Sequence, residues 1–297
     1  MKRRYVTTDV FTRTRFGGNP LAVVLDADEL DGPGMQAIAR EFNYSETTFV
    51  LPPADPAHTA HVRIFTPAEE LPFAGHPNVG TAYALARIGR VFDKPTGDTM
   101  VFEEQAGLVP VRLRFEADEP VGAQLTAPQP LRIGASVPAS RVAACLGLAE
   151  ADILTGRHAP LVASVGTTFL VAELRDRAAL RRIRPDAAGF AALPAEGRKL
   201  LVYSADADPA RLDARMFFTP AGVVEDPATG SANAALAALL AQLSAENDTT
   251  LHLRITQGED MGRPSLLLTE VDKAAGVIAA VRIGGHCVPV MEGLIDA

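Results

Sequence analysis

An internal repeat constrains the fold of this chain more than any other feature of its sequence. Residues 63–68, Arg-Ile-Phe-Thr-Pro-Ala, return as residues 215–221, Arg-Met-Phe-Phe-Thr-Pro-Ala. Acidic residues, a turn with Gly or Pro and an Ala-rich helical pattern follow each copy, and the two helical patterns open at Gly80 and Gly230. A duplicated unit sets the architecture before any single residue does. We therefore expect two related lobes.

Short strand patterns outnumber helical ones along the chain. Strands are predicted over residues 4–11, 21–25, 47–51, 61–65, 109–115, 200–205, 251–257 and 277–284. Apolar residues at helical spacing predict helices over 33–42, 79–88, 139–146 and 231–243. Acidic residues, Gly and three prolines interrupt the strand pattern at 118–130, where we expect a linker. The sequence therefore predicts an α+β fold with an N-terminal lobe of residues 1–120 and a C-terminal lobe of 121–285.

Charge and composition narrow the classes of partner. The chain carries 36 acidic against 28 basic residues, a net charge of -8, and it has no dense run of Lys or Arg. Such a surface repels a nucleic-acid backbone, so we expect no nucleic-acid partner. No segment is apolar for long enough to predict a membrane span, and we expect no membrane partner.

The cysteines and histidines bear on compartment and on metal binding. Cys145 and Cys287 are far apart and lie among small or apolar residues, as reduced thiols of a cytoplasmic protein do. No apolar segment follows the basic residues 2–4, so we expect a cytoplasmic location. His58 and His61 have a metal-ligand spacing, but no cluster of further ligands joins them, and we expect no metal site.

The two Ala-rich helices suggest a site for a small anion. A helix N-terminus leaves backbone N–H groups unpaired and carries partial positive charge, so it attracts carboxylate or phosphate. Gly lets a ligand approach the backbone closely. Two pseudo-symmetric lobes could direct both N-termini at one ligand. We therefore expect a small carboxylated molecule as the partner, although each helix start alone could be an ordinary capped end.

Three polar constellations are candidates for the chemistry. Ser45 and Glu46 stand between a predicted helix and a predicted strand, where a Glu is usually a solvated turn residue. His76 stands at the entrance of the first Ala-rich helix, and Asp226 precedes the second. Capping explains either one alone. Their coincidence at two related helix starts favours a functional role.

These segments, taken in order, resemble the PhzF-like (phenazine biosynthesis-like) family, which has the diaminopimelate epimerase-like fold. The matching segments are 18–23 with Gly-Asn-Pro-Leu-Ala-Val, 45–47 with Ser-Glu-Thr, 71–77 with Leu-Pro-Phe-Ala-Gly-His-Pro, 225–232 with Glu-Asp-Pro-Ala-Thr-Gly-Ser-Ala, Gln257-Gly258, 262–265 with Gly-Arg-Pro-Ser, Gly284-Gly285 and 288–290 with Val-Pro-Val. No single segment is decisive, but the ordered set is specific and extends from near residue 18 to near residue 290.

The resemblance implies both an architecture and a set of site residues. It implies two pseudo-symmetric lobes, each a mainly antiparallel β-sheet or barrel wrapped around a central helix, with the active site between them, the C-terminal tail of about 286–297 in the first lobe, and a homodimer. It implies an acid/base role for Glu46 and supporting catalytic roles for His76 and Asp226. The substrate-binding residues that it implies are Gly75, Asn78, Gly230, Ser231, Ser45 and Asn19.

The chain departs from the family pattern at two positions and lacks the cysteines of related enzymes. Asn78 replaces a common Thr, and His286 replaces a common Lys. Related epimerases and racemases use one Cys at each helix start. The matching positions of this chain are near Ala74 and Pro227, and neither of its two cysteines lies close to them in the sequence. The resemblance therefore favours a one-base mechanism, in which a carboxylate takes a proton from one carbon and returns it to another.

The resulting hypothesis is that the chain is an isomerase that needs no cofactor and acts on a small amino-acid-like or cyclic diene carboxylate. Two alternatives remain open at this point, namely an amino-acid epimerase or racemase-like enzyme and a non-catalytic small-anion-binding protein of the same fold. A serine hydrolase using Ser231, His76 and Asp226 is disfavoured because Ser231 is not in a Gly-x-Ser-x-Gly segment.

Overall fold

The chain divides into two compact units. The computed structural model describes residues 2–219 and 223–297, so Pro220 and Ala221 of the second repeat copy lie outside the described residues. The first unit comprises residues up to Thr126 together with Gly284–Ala297, and the second comprises Ala127–Ile283. Within the described residues, no helix is long and apolar enough to span a membrane.

The first unit contains ten complete strands in its described residues, two helices and the last part of a strand that begins in the second unit. Its elements are β1 (Lys2–Val10), β2 (Asn19–Val24), α1 (Gly32–Phe42), β3 (Glu46–Leu51), β4 (Ala60–Phe65), β5 (Glu70–Leu71), α2 (Gly75–Ile88), β6 (Arg90–Val91), β7 (Lys94–Pro95), β8 (Thr99–Glu104), β9 (Gly107–Glu116) and β10 (Glu119–Thr126).

The second unit contains the remaining described strands and α-helices. They are β11 (Arg132–Ser136), α3 (Ala139–Leu146), β12 (Ile153–Leu154), β13 (Leu161–Ser164), β14 (Thr168–Leu174), α4 (Arg177–Arg182), α5 (Ala187–Ala191), β15 (Lys199–Ala205), β16 (Arg211–Phe218), β17 (Val224–Asp226), α6 (Gly230–Leu243), β18 (Thr249–Gln257), β19 (Ser265–Ala274) and β20 (Val277–Asp296). The residues of β20 from Gly284 onward belong to the first unit.

Strand pairing closes the first unit into a barrel. Its described strands follow the order β20, β1, β2, β3, β4, β8, β9, β10 and return to β20, which makes eight strands. The pairs β2–β3 and β4–β8 are parallel, and the pairs β20–β1, β1–β2, β3–β4, β8–β9 and β9–β10 are antiparallel. Closure leaves no unpaired sheet edge among these strands.

Helix α2 lies at the centre of this barrel. All of its residues from Gly75 to Leu85 are buried, and most of them are apolar or small, as expected of a helix enclosed on every face. A Cβ at Gly80 would lie 2.6 Å from Leu21 Cδ2 and 2.7 Å from Val10 Cγ2. Because these strand side chains pack directly against the helix, only a residue without a side chain fits at Gly80.

The second unit repeats the strand directions of the first. Its strands follow the order β11, β13, β14, β15, β16, β18, β19, β20, and here β14–β15 and β16–β18 are the parallel pairs. Helix α6 is buried over most of its length, as α2 is. The fold class is confirmed as two pseudo-symmetric, mainly antiparallel lobes, each built on a central helix.

The repeated sequence segments occupy equivalent places in the two units. Arg63 on β4 donates to Glu70 on β5 at 2.7 and 2.8 Å. Arg215 on β16 donates to Glu225 on β17, also at 2.8 and 2.7 Å. Each Arg thus binds a carboxylate with two parallel hydrogen bonds. In this way it holds the short strand that leads to the central helix against the longer strand that carries the Arg.

Two sequence expectations are wrong in their details. The region 118–130 is not a linker as a whole, because β10 occupies Glu119–Thr126. Pro120 is accommodated where the register shifts between Pro120 and Gly122, and a bulge tolerates a residue that cannot donate a ladder hydrogen bond. The first Ala-rich helix begins at Gly75 rather than near Val79 or Gly80. Pro77 lies in its first turn, where the missing N–H disturbs no helical hydrogen bond.

Candidate active site

The candidate residues of the first unit gather where β2 and β3 begin. These strands are parallel, and Leu21 pairs with Glu46, so Asn19 and Ser45 precede the same register position on neighbouring strands. Gly18 makes this start possible because its φ is +63°, and a Cβ there would lie 2.3 Å from the Val10 carbonyl oxygen. Asn19 is fully buried, whereas Ser45 and Glu46 are partly exposed.

The N-terminus of α2 contributes backbone donors to the same group. Its N-cap residue, Ala74, has no side-chain hydrogen bond to the helix. The N–H groups of Gly75 and His76 fall in the first turn, where a helix supplies no backbone acceptor. Together with the helix dipole, such N–H groups favour a carboxylate or a developing negative charge.

Glu46 and His76 form the central pair of this group. His76 Nε2 lies 3.4 Å from Glu46 Oε2, and the two side chains are only 5% and 16% exposed. Burial lowers the pKa of His76 to about 3, although a hydrogen bond from its ring to the Pro20 carbonyl acts in the opposite direction. His76 is therefore neutral near pH 7 and gives Glu46 a polar neighbour without a positive charge.

Asn78 and Glu104 lie behind the same helix start. Asn78 is completely buried, and its Nδ2 donates to the Ala74 carbonyl oxygen at 2.9 Å. Glu104 ends β8 and is also buried, with a side chain that interacts with the Asn78 amide. Burial raises the pKa of Glu104 to about 8. Glu104 is not among the residues expected from the sequence, although the repeat places it at the end of β8 as it places Gln257 at the end of β18.

The second unit places its candidate residues at the start of α6. Asp226 ends β17, and its carboxylate accepts a hydrogen bond from the Thr229 hydroxyl. Gln257 donates to the Asp226 carbonyl oxygen at 2.8 Å and accepts from Asn233 at 2.7 Å. These contacts fix the segment in front of α6, which begins at Gly230 and carries Ser231 in its first turn.

Asn233 and Asn78 show how the two helix starts correspond. Both helices have 14 residues, and Asn233 Nδ2 donates to the Thr229 carbonyl oxygen at 3.0 Å as Asn78 does to Ala74. The equivalent of Gly230 is therefore Gly75, and the equivalent of Ser231 is His76. The sequence alignment of Gly80 with Gly230 was wrong by five positions because it followed the Ala-rich pattern rather than the helix ends.

His286, where the family commonly has Lys, belongs to a surface ion cluster of the first unit. Its Nε2 lies 2.6 Å from an Arg13 guanidinium nitrogen and 3.4 Å from a Glu116 carboxylate oxygen. Burial lowers the pKa of His286, and the Arg13 charge acts in the same direction. This cluster links β20 and β9 to the segment between β1 and β2, which leads to Asn19.

The two cysteines are buried, and the possible metal ligands of the described residues are scattered. Cys145 and Cys287 are both buried. Burial raises the pKa of Cys145 to about 11 and that of Cys287 further still, so neither thiol is a ready proton acceptor near pH 7. Over residues 2–219 and 223–297, no group of three or more His, Cys, Asp or Glu side chains is arranged to hold a metal ion.

Comparison with known proteins gives matches over nearly the whole chain. A family model described as phenazine biosynthesis-like protein matches residues 8–293. An uncharacterized isomerase of Mesorhizobium japonicum is 40% identical, and the alignment covers 98% of each chain. The trans-2,3-dihydro-3-hydroxyanthranilate isomerase of Pseudomonas aeruginosa is 38% identical, again over 98% of each. A Bacillus anthracis phenazine biosynthesis protein of the PhzF family has the same fold, with a TM-score of 0.87, 24% identity and 100% coverage of both chains.

Proposed function

The chain belongs to the phenazine biosynthesis-like protein family, whose curated relatives include named isomerases, and from that premise we propose that it moves a proton between two carbons of a small carboxylated substrate with Glu46 as the single acid and base. The observation that supports this role most strongly is the buried contact of Glu46 with neutral His76 beside the N-terminus of α2.

The proposed reaction is an allylic proton shift. The Glu46 carboxylate takes a proton from an sp³ carbon of the substrate, and the electrons of that C–H bond form a new C=C bond. The former C=C electrons then take a proton from Glu46 at a second carbon, either the one just removed or one that Glu46 has meanwhile exchanged with water. Nothing is oxidised or reduced, so the step requires no redox cofactor.

Neutral His76 suits this cycle because Glu46 has to carry the proton and then release it. A protonated His76 would hold Glu46 as a carboxylate through a charged pair and oppose proton uptake. A neutral imidazole can instead accept a hydrogen bond from protonated Glu46 at Nε2, the nitrogen that faces it. The N–H groups of Gly75 and His76 would bind the charge that develops on the substrate.

The remaining site residues keep the roles that the resemblance implies, as proposals. Asn19 and Ser45 orient the substrate beside Glu46 in the first unit. Asp226 holds a substrate amine or hydroxyl, and the helix start at Gly230 and Ser231 binds a carboxylate. The fixed position of Asp226 supports its proposed role. The Thr229 hydroxyl holds its side chain, and Gln257 holds its backbone carbonyl oxygen.

The proposed substrate class is an amino-acid-like or cyclic diene carboxylate. The Pseudomonas aeruginosa relative is named for trans-2,3-dihydro-3-hydroxyanthranilate, which is such a molecule. We therefore take that compound as the first candidate for this chain. It carries a carboxylate for a helix N-terminus and an amine and a hydroxyl for side chains such as Asp226.

Solvent deuterium tests the role of Glu46. In D₂O, the wild type is expected to place deuterium at the new sp³ carbon of the candidate substrate, followed by proton NMR. Glu46→Gln should slow this by about 10²–10⁴-fold, because the amide cannot accept the proton. Binding of 2-aminobenzoate, a stable carboxylate of similar shape, should change only a few-fold. Glu41→Gln, at an exposed position of α1, is the matched control.

The same experiment separates the alternatives. An epimerase or racemase would place deuterium on the carbon that lost the proton, without moving a double bond. A non-catalytic anion-binding protein would bind 2-aminobenzoate and exchange no hydrogen. Deuterium incorporation by Glu46→Gln at the wild-type rate would show that another group is the base.

A further inference from the structure

Glu104 is a buried carboxyl group that the proposed proton transfer does not use. Both of its oxygens are inaccessible to solvent, and no charged side chain among the described residues compensates for their burial. The Asn78 side chain faces it. This interaction lowers the pKa of Glu104, so it is made by the Asn78 amide N–H groups, which can donate to a carboxyl oxygen. A protonated Glu104 still offers an acceptor oxygen to this amide and places no charge in the buried site, whereas an ionised Glu104 buries a charge there.

The second unit shows what the equivalent position does when it holds a neutral side chain. Gln257 ends β18 as Glu104 ends β8. Its Oε1 accepts from Asn233 Nδ2 at 2.7 Å and from the Thr229 backbone N–H at 3.3 Å. Gln257 thereby holds both the N-cap residue of α6 and the Asn in its first turn. A neutral carboxylic acid has the same shape as this amide and one O–H donor.

We propose that Glu104 is a positioning residue that acts as a neutral carboxylic acid, holding Asn78 and the first turn of α2 in the orientation that binds a carboxylate. The part about carboxylate binding rests on the proposed function, whereas the protonation of Glu104 does not. The Glu104 carboxyl interacts with the Asn78 amide, and Asn78 in turn donates to Ala74, the N-cap residue. Glu104 therefore acts on the helix start through Asn78 and Ala74.

The charges around Glu104 leave burial as the main influence on its protonation. The titratable or charged residues on β8 and on the elements around it are Glu46, His61, Arg63, Glu70, His76, Tyr83, Arg87, Glu103, Arg112, Arg114 and Glu116. None of these adds a charge interaction to the Glu104 carboxyl. Its pKa of about 8 reflects burial, which the Asn78 amide opposes only in part.

This pKa predicts an alkaline transition at the helix start. An ionised Glu104 would place a negative charge beside the N-terminus of α2 and cancel part of the positive potential there. Carboxylate binding should therefore weaken as the pH rises through about 8.

Protein stability tests the protonation without any substrate. The folded protein holds the Glu104 proton up to a pH of about 8, and the unfolded chain releases it near 4.5, the ordinary pKa of a Glu side chain. The stability linked to this proton is complete below the unfolded value and is lost as the pH rises through the folded value. The urea concentration at the unfolding midpoint of Glu104→Gln should therefore rise relative to that of the wild type as the pH rises from about 5 to about 9.

Glu119→Gln, at an exposed site on β10 of the same unit, is the matched control and should follow the wild type. Carbon-13 NMR of glutamate-labelled wild type gives a second measure that needs no variant, and one carboxyl resonance should titrate near pH 8. Parallel unfolding profiles for the wild type and Glu104→Gln, or no carboxyl titrating above about pH 7, would overturn the neutral acid.

Calorimetric binding of 2-aminobenzoate tests the positioning role. Its charge is constant from about pH 6.5 to about 9, so a change in affinity reports on the protein. The wild type and Glu119→Gln should lose at least about five-fold in affinity over this range, whereas Glu104→Gln should lose less than about two-fold. Equal pH dependence in the wild type and Glu104→Gln, or no binding by either, would overturn the positioning role.

These readouts are independent of turnover. If Glu46 proves not to be the base, the unfolding profiles and the carboxyl titration of Glu104 keep their expected forms. If instead Glu104 is ionised at neutral pH, the deuterium experiment on Glu46→Gln is unaffected. The failure of one proposal can therefore be told from the failure of the other.

Discussion

The neutrality of His76 makes the folded protein sensitive to acid in a way that can be calculated. Burial lowers the pKa of His76 from 6.5 to about 3. The linked stability is present above pH 6.5 and is lost as the pH falls towards 3, because the unfolded chain binds the proton first. A pH of about 4.5 lies two units below the pKa of 6.5 in the unfolded chain, while the folded His76 is still neutral. The free energy of unfolding is therefore lower by about 3 kcal/mol than above pH 6.5. His76→Gln, which cannot bind that proton, should escape this loss.

Urea unfolding at about pH 7.5 and about pH 4.5 gives the free energy of unfolding that each protein loses in acid. The loss in the wild type minus the loss in His76→Gln measures the contribution of His76. Carboxylates that lose stability in acid contribute equally to both proteins and cancel. His252→Gln, at an exposed position on β18, is the control and should lose as much stability as the wild type. If His76→Gln also loses as much, within about 0.5 kcal/mol, then His76 titrates normally and the argument for a neutral partner of Glu46 fails.

Two further predictions concern the scaffold. Gly18→Ala should destabilise the protein by about 2 kcal/mol or more, measured by urea unfolding, because its φ is +63° and the new Cβ would lie 2.3 Å from the Val10 carbonyl oxygen; unchanged stability would contradict that geometry. Arg215→Ala should cost about 3 kcal/mol because it leaves Glu225 partly buried without its partner, and Arg211→Ala, at an exposed site on the same strand, should cost less than about 1 kcal/mol. Similar losses in the two Arg variants would contradict a special role for the pair.

The repeat was the most informative part of the sequence for the fold. Arg63 and Arg215 were visible as repeated letters, and the structure gives each a glutamate partner on an equivalent short strand, Glu70 on β5 and Glu225 on β17. Local composition was less reliable. Prolines near 120 predicted a linker, but β10 accommodates Pro120 at a register shift, which depends on the neighbouring strand and cannot be seen locally. The closure of the barrel through β10 and β20 likewise joins segments far apart in the chain.

The site was predictable where the chemistry lies in the motif and unpredictable where it lies in burial. Glu46 and His76 were selected from the sequence, and the structure brings them into contact. That His76 is neutral follows from its burial, which no local pattern shows. Glu104 was missed because a Glu at a strand end is usually solvated. Comparison with Gln257 would have found it only after the helix starts had been aligned at Gly75 and Gly230. The roles of Asp226 and Ser231, the homodimer and the cytoplasmic location remain predictions.

The most direct test of the single-base account follows one hydrogen atom within the substrate. Trans-2,3-dihydro-3-hydroxyanthranilate carrying deuterium on the carbon that loses its proton is converted in ordinary water, and mass spectrometry measures the label in the product during the first turnovers. If Glu46 carries the hydrogen from one carbon to the other, part of the deuterium reappears at the acceptor carbon, and Glu46→Gln transfers none. Label transfer by Glu46→Gln at the wild-type rate would contradict the account.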